Sequence, residues 1–414
     1  AVRRQQVPDL VERKSGLLGH HDDLEDLPGP ARILAIAVQA AIDRADQALP
    51  LIEADARRRE AGFPSQFPDL HCRSPWRLDL KVNFKVMVRG DQQGNWLMSP
   101  FEPLTLPNGS SIPNRIAKAA MEENMADARH FPSAELLRLY QAWADGGAGL
   151  IITGNVMIDR HAMTGPGGVV LEDGTELEPF RNWARIGRAR GAQIWMQLNH
   201  PGRQMMKNLG QQTLAPSAVA LDLGKHSNLF AMPRAMTEQD IDEVIGRFVS
   251  AARLAERAGF SGVQIHAAHG YLLSQFLSPL TNRRTDGWGG PLENRARLLI
   301  ETVKAVRASV SPGFSVAVKL NSADFQRGGF DAADAKSVVE MLNALSVDLV
   351  ELSGGSYEAP AMQGDARDGR TLAREAYFLD FARDVAAVAR MPVMVTGGIR
   401  RIGVVQQVLD SGVA

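Results

Sequence analysis

From Leu97 onward the chain alternates short apolar runs with amphipathic helical stretches, and this alternation limits the fold more than any other feature. The apolar runs occupy residues 114–121, 150–152, 193–198, 263–265, 314–320, 347–352 and 392–396. Helical periodicity fills the gaps, over residues 133–144, 177–190, from Thr237 onward, and over 291–309, 331–345, 379–390 and 402–409. Apolar strands interleaved with helices belong to parallel sheets covered by helices. Seven such strands, each ending in glycine or polar residues, predict an α/β fold of the (β/α)8 TIM-barrel type with about seven of eight strands present. No Gly-x-Gly-x-x-Gly follows an early strand, which counts against a Rossmann dinucleotide domain.

The last residues, Ser411-Gly-Val-Ala414, fall where an eighth strand is due. The expectation is a C-terminally truncated barrel with an open sheet edge. Residues 1–95 read as a separate N-terminal extension, helical over 30–59 and then interrupted by Pro64, Pro68 and Pro75. It carries no recognisable function, so the chain divides into 1–95 and a barrel over 96–414. Residues 104–112 suggest a hairpin turning at Asn108-Gly109, placed to plug the barrel bottom.

Bulk properties exclude several classes. A formal net charge of −1 gives no reason to expect nucleic acid or an anionic membrane as partner. Cys72 is the single cysteine, so an intrachain disulfide, an Fe–S cluster and a Cys-based zinc site within this chain are excluded. The adjacent His20, His21, Asp22 and Asp23 converge poorly on an extended chain, so no metal site is expected. No apolar run is long enough to span a bilayer, and the first residues lack the apolar core of a signal peptide. A cytoplasmic location is the expectation, and assembly as a homo-oligomer stays open.

The chemistry concentrates between Gly262 and Arg295. A short apolar strand there delivers His266, His269 and Tyr271 within one turn of chain. In a parallel barrel the C-terminal ends of the strands carry the active site. Imidazoles can donate to an oxygen gaining negative charge, and a phenol can deliver a proton to carbon. Lys319 closes the apolar run Val316-Ala-Val and needs a charge partner if buried. Gln197 ends the third strand with an amide able to donate and accept. On these residues alone, a metal-free lyase or isomerase using His266, His269 and Lys319 stays open, as does a non-catalytic barrel.

The runs His266-Ala-Ala-His269-Gly-Tyr271-Leu-Leu-Ser-Gln-Phe-Leu-Ser-Pro and Asp286-Gly-Trp-Gly-Gly-Pro-Leu-Glu-Asn-Arg resemble the signature of the Old Yellow Enzyme family. The runs Gln197-Leu-Asn-His-Pro-Gly-Arg and Val318-Lys-Leu-Asn-Ser-Ala-Asp-Phe extend the resemblance, which covers roughly 97–414. It implies FMN as cofactor, NADH or NADPH as hydride donor, and a small enone-type molecule as acceptor. By the same resemblance, Gln197 bonds the isoalloxazine ring and Lys319 stabilises the reduced, anionic flavin. Ala120, Met121 and Glu122 line the flavin edge, although many relatives carry Thr or Cys where Glu122 stands. Gly154 and Asn155 lie where the second strand approaches the ring. Ser353, Gly354, Gly397 and Gly398 are candidates for the phosphate side. The implied catalytic roles are His266 and His269 on the acceptor's carbonyl oxygen and Tyr271 as proton donor to carbon. No metal is implied.

Overall fold

The computed structural model describes residues 84–88, 99–209, 212–360, 376, 378–399 and 401–413. The helix expected at 30–59 and the 20–23 cluster lie outside the described residues. So does the single cysteine.

The barrel strands are β1 (Phe84–Val88), β4 (Ile116–Lys118), β5 (Leu150–Met157), β6 (Gln193–Asn199), β9 (Gly262–Ala267), β10 (Ser315–Asn321), β11 (Leu349–Ser353) and β12 (Val393–Ile399). Two small pairs lie apart from them: β2 (Leu104–Thr105) with β3 (Ser111–Ile112), and β7 (Leu214–Ala215) with β8 (Arg234–Ala235). The helices are α1 (Ala134–Asp145), α2 (Glu178–Gly187), α3 (Glu238–Arg257), α4 (Leu272–Leu277), α5 (Leu292–Ser309), α6 (Ala332–Leu342), α7 (Leu379–Ala386) and α8 (Ile402–Asp410). The strands close in the order β1-β12-β11-β10-β9-β6-β5-β4.

Seven strands, β4 to β6 and β9 to β12, pair in parallel as the strand–helix alternation requires. The eighth position is not an open edge. β1 fills it, running antiparallel to both β12 and β4. The boundary expected between 95 and 96 is corrected accordingly, since residues 84–88 belong to the barrel sheet. The compact unit that contains the barrel begins at Val82.

Local signals place the helices. Ser133 caps α1 by accepting from the Leu136 N–H at 3.1 Å. Thr237 and Asp240 form a reciprocal capping box at α3. The α3 stripe of Ile241, Val244, Phe248, Ala252 and Ala255 is buried at helical spacing. α2 stops short of the expected 190, where a left-handed Gly191 turns the chain toward β6. Pro291 caps α5 rather than entering its first turn.

The inward side chains stack in layers along the strands. Trp195, Ala317, Leu349, Met394, Ala117 and Ile152 make an apolar floor, sealed by Leu104, Leu106 and Ile112 of the β2–β3 hairpin. Side chains alternate across a strand, so the residues two steps on face the same interior. Those residues are Gln197, Lys319 and Glu351, with Gln264 beside them on β9. One layer is thus oily and the next polar, and the polar one lies toward the C-terminal mouth. Among the described residues no helix is long and apolar enough to cross a membrane.

Candidate active site

The polar layer is a chain of hydrogen bonds. Gln197 Nε2 donates to Gln264 Oε1 at 2.7 Å, and Gln264 Nε2 donates to Glu351 Oε2 at 2.8 Å. The other carboxylate oxygen, Oε1, meets Lys319 Nζ at 2.9 Å. All four side chains are buried. A lone ammonium at this depth would be strongly destabilising; the Lys319–Glu351 pair balances it and Gln264 satisfies the remaining oxygen. Sequence reasoning required a partner for Lys319 but missed Glu351. The available signal was a single carboxylate inside the apolar run Leu349-Val-Glu-Leu.

The next tier carries the acid groups. His266 Nδ1 accepts the Ala268 N–H at 3.2 Å, which leaves a neutral ring with its proton on Nε2, a donor. His269 sits at φ +60°, a left-handed conformation, so its backbone is held from several sides. Its N–H donates to Asn321 Oδ1 at 3.0 Å, its carbonyl accepts from Gln204 Nε2 at 3.1 Å, and its ring Nε2 lies 2.7 Å from Ser353 Oγ. The two imidazoles meet edge to face at 5.1 Å, and the Tyr271 ring lies 4.9 Å from His266. Tyr271 Oη is 3.1 Å from Tyr357 Oη. Burial, with Tyr357 and Glu122 nearby, raises the Tyr271 phenol well above its ordinary range. Sequence reasoning also missed Tyr357, which follows β11 in Ser353-Gly-Gly-Ser-Tyr.

The β4 and β5 ends form the opposite wall. Ala120 and Met121 are half-buried, and Glu122 is exposed. The Glu122 carboxyl accepts from Thr164 Oγ1. Desolvation by the surrounding protein nonetheless raises its pKa, against the lowering effect of the Thr164 hydrogen bond. Gly154 permits a close approach: a Cβ there would lie 2.4 Å from the Met121 carbonyl oxygen and 2.0 Å from Glu123 Oε2. Behind this wall, Lys118 Nζ donates to Glu123 Oε1 at 3.2 Å and stands 4.0 Å over the Trp143 ring. Tyr140 donates to the same Glu123 oxygen at 2.7 Å and accepts the Gly154 N–H at 3.0 Å. This network was not anticipated; a lysine in an otherwise apolar first strand was its only trace.

Several buried amide atoms face no protein partner. They are Asn155 Oδ1, Gln204 Oε1 and both Asn199 Oδ1 and Nδ2. Asn155 pairs with Gln197 along the β5–β6 ladder, and Asn199 lies two residues further on. A planar heterocycle with alternating donors and acceptors is the kind of ligand such amides serve.

On the phosphate side the candidates divide. Ser353 is engaged by His269, and the space beside Gly354 is filled by Phe325 and Phe378. Gly397 and Gly398, both at positive φ inside β12, coincide with an irregularity in its pairing with β1. Thus Gln197, Lys319, His266, His269, Tyr271, Asn155 and Glu122 belong to strands that adjoin around one half of the barrel. Among the described residues no cluster of His, Cys, Asp or Glu could hold a metal ion.

Comparison with known proteins gives a consistent picture. The family model described as NADH:flavin oxidoreductase / NADH oxidase matches residues 99–412. A NADH-dependent flavin oxidoreductase, nadA, of Aspergillus parasiticus is 41% identical over 303 residues, covering 70% of this chain and 68% of that protein. The NADH-dependent flavin oxidoreductase iliE of Neonectria sp. is 39% identical over 335 residues, 75% of this chain. This chain spans only 44% of that relative's length. Among solved structures, the Old Yellow Enzyme homologue from Zymomonas mobilis is 28% identical with a TM-score of 0.65, covering 77% of this chain and 87% of that one.

Proposed function

Because the chain belongs to the NADH:flavin oxidoreductase / NADH oxidase family of flavin-dependent enzymes, we propose that it passes hydride equivalents from NADH or NADPH through FMN to an α,β-unsaturated carbonyl. FMN, when bound, supplies the carrier that takes two electrons from the nicotinamide and gives them up singly or together. The residues present suit it: the open Asn155 Oδ1 and the Asn199 amide stand at the ends of β5 and β6, beside the Gln197 amide and the Lys319 cation of the polar layer. Gly397 and Gly398 would take its phosphate.

One observation carries the acceptor class. A neutral His266 fixed as an Nε2 donor stands 4.9 Å, ring to ring, from a buried phenol held in its protonated form. A donor for oxygen beside a proton source for carbon is what conjugate reduction of an enone needs. His266 and His269 would hold and polarise the carbonyl oxygen. Tyr271 would protonate the α-carbon. The lyase alternative needs a free amine, whereas Lys319 is paired with Glu351.

The test separates the two half-reactions. Tyr271→Phe should be reduced by NADH at the normal rate, while its reoxidation by 2-cyclohexenone should slow by about 10²- to 10⁴-fold. Equal effects on both halves would remove Tyr271 from the acid role. A protein that stays colourless after incubation with FMN would sink the whole reading.

A further inference from the structure

Tyr271 is 6% exposed, so a proton it gives to carbon must be replaced through the protein. Its neighbours limit the route. Asn155 hydrogen-bonds the phenol but has no proton to release, and His266 meets it edge to face. Tyr357 places a second hydroxyl 3.1 Å from the first and is itself only half-buried. The second ring is fixed in place. It packs edge to face on Tyr271 and Phe230, with centroids at 6.0 and 6.3 Å. The next residue, Glu358, is clamped by Arg203 and accepts the Asp222 N–H at 2.8 Å. The residue before, Ser356, bridges to His269.

We propose that Tyr357 is the positioning and proton-relay partner of Tyr271, carrying protons from solvent to the buried phenol. The inference rests on Tyr271 being the acid of the proposed function. In the relay, the Tyr271 O–H bond breaks as the acceptor's α C–H bond forms, with the electrons supplied by NADH. The Tyr357 proton then moves to the Tyr271 oxygen, and water reprotonates Tyr357. The charged and titratable groups facing the pair are Glu122 from the β4 loop and His266 from β9. Glu122 opposes ionisation of both phenols, and burial together with that carboxylate pushes Tyr357 up to about 12. Both hydroxyls are therefore protonated at the start of each cycle.

Wild type, Tyr271→Phe, Tyr357→Phe and the double variant, each loaded with FMN, are reduced anaerobically with NADH and then mixed with 2-cyclohexenone. Tyr357→Phe should slow limiting reoxidation about tenfold and enlarge its solvent isotope effect, with reduction rate and acceptor affinity unchanged. The double variant should be no slower than Tyr271→Phe, because the two act in series. Wild-type reoxidation in Tyr357→Phe, or multiplied defects in the double variant, overturns the relay and leaves Tyr271 as the acid. Unaltered reoxidation in Tyr271→Phe overturns the proposed function as well. A second readout needs no flavin, since the chain has four tyrosines. In ultraviolet titration of the apoprotein, Tyr357→Phe should remove one phenol and also shift the titration of Tyr271. Loss of one phenol with the rest unshifted overturns the hydrogen-bonded pair.

Discussion

Glu351 decides whether Lys319 can exist as a cation inside the barrel. Replacing it with Gln keeps a partner for Gln264 but leaves the ammonium without its counter-charge. Removing one member of a buried pair costs about 3–5 kcal/mol. Glu351→Gln should therefore lower the denaturation midpoint markedly, and adding Lys319→Met should recover much of the loss. If the double variant is no more stable than the single, the pair is not coupled as described. His200 offers a second test. Burial, reinforced by Arg247 and opposed by Asp159, pushes its imidazole down from 6.5 to about 4. A depressed pKa means that the unfolded chain takes up the proton first. The associated stability is complete above 6.5 and is lost as pH falls through about 4, amounting to roughly 3 kcal/mol at 1.36 kcal/mol per pKa unit. His200→Gln should flatten that decline in urea midpoints; parallel slopes for both proteins would dismiss the effect. At this scale the sequence was half readable. Lys319 and the two imidazoles stood out because their types are out of place at a strand end. Glu351, Gln264 and Tyr357 did not, because their roles arise only when other strands or a second loop come alongside.

At the level of elements, what was legible depended on whether the signal was local. The cap at Ser133 and the box at Thr237 and Asp240 are contained in four residues each, and both helices begin where those residues say. The hairpin turn at Asn108-Gly109 is equally local, and its two strands seal the apolar floor of the barrel. Helix ends were less readable. α2, α6 and α7 stop before the apolar period does, because the returning chain must turn into the next strand. The short α4 was hidden inside the signature run. It starts directly after Tyr271, and the Leu272 N–H bonds the His200 carbonyl at 3.0 Å, so a tertiary contact helps set its beginning. This contact also ties the loop bearing the proposed acid to the end of β6, whose Gln197 belongs to the polar layer. The site is therefore positioned by strand ends and the first turns that leave them, not by the long helices outside.

For the whole molecule, the strand that closes the sheet was the least legible feature. Strand–helix alternation identifies parallel strands by their neighbours, and β1 runs antiparallel to both of its own. Its place between β12 and β4 is set by two sequence-distant edges, each offering unpaired backbone groups. Register pairs such as Val88 with Val393 and Phe84 with Lys118 join chain segments that no local pattern relates. Without β1 both edges would be open to other chains. Two N-terminal deletions isolate its contribution, one ending at Lys81 and one ending at Val88. Everything removed by the shorter deletion is also absent from the longer, so their difference reports β1. With a net gain of about 1 kcal/mol per ladder hydrogen bond, and about 2–4 °C per kcal/mol for a domain of this class, the longer deletion should melt on the order of 10 °C lower. It should also aggregate sooner, through the exposed edges. Equal melting temperatures and equal solubility would mean that β12 and β4 do not depend on β1. The barrel of this chain would then have to be held closed by its seven parallel strands and their helices alone.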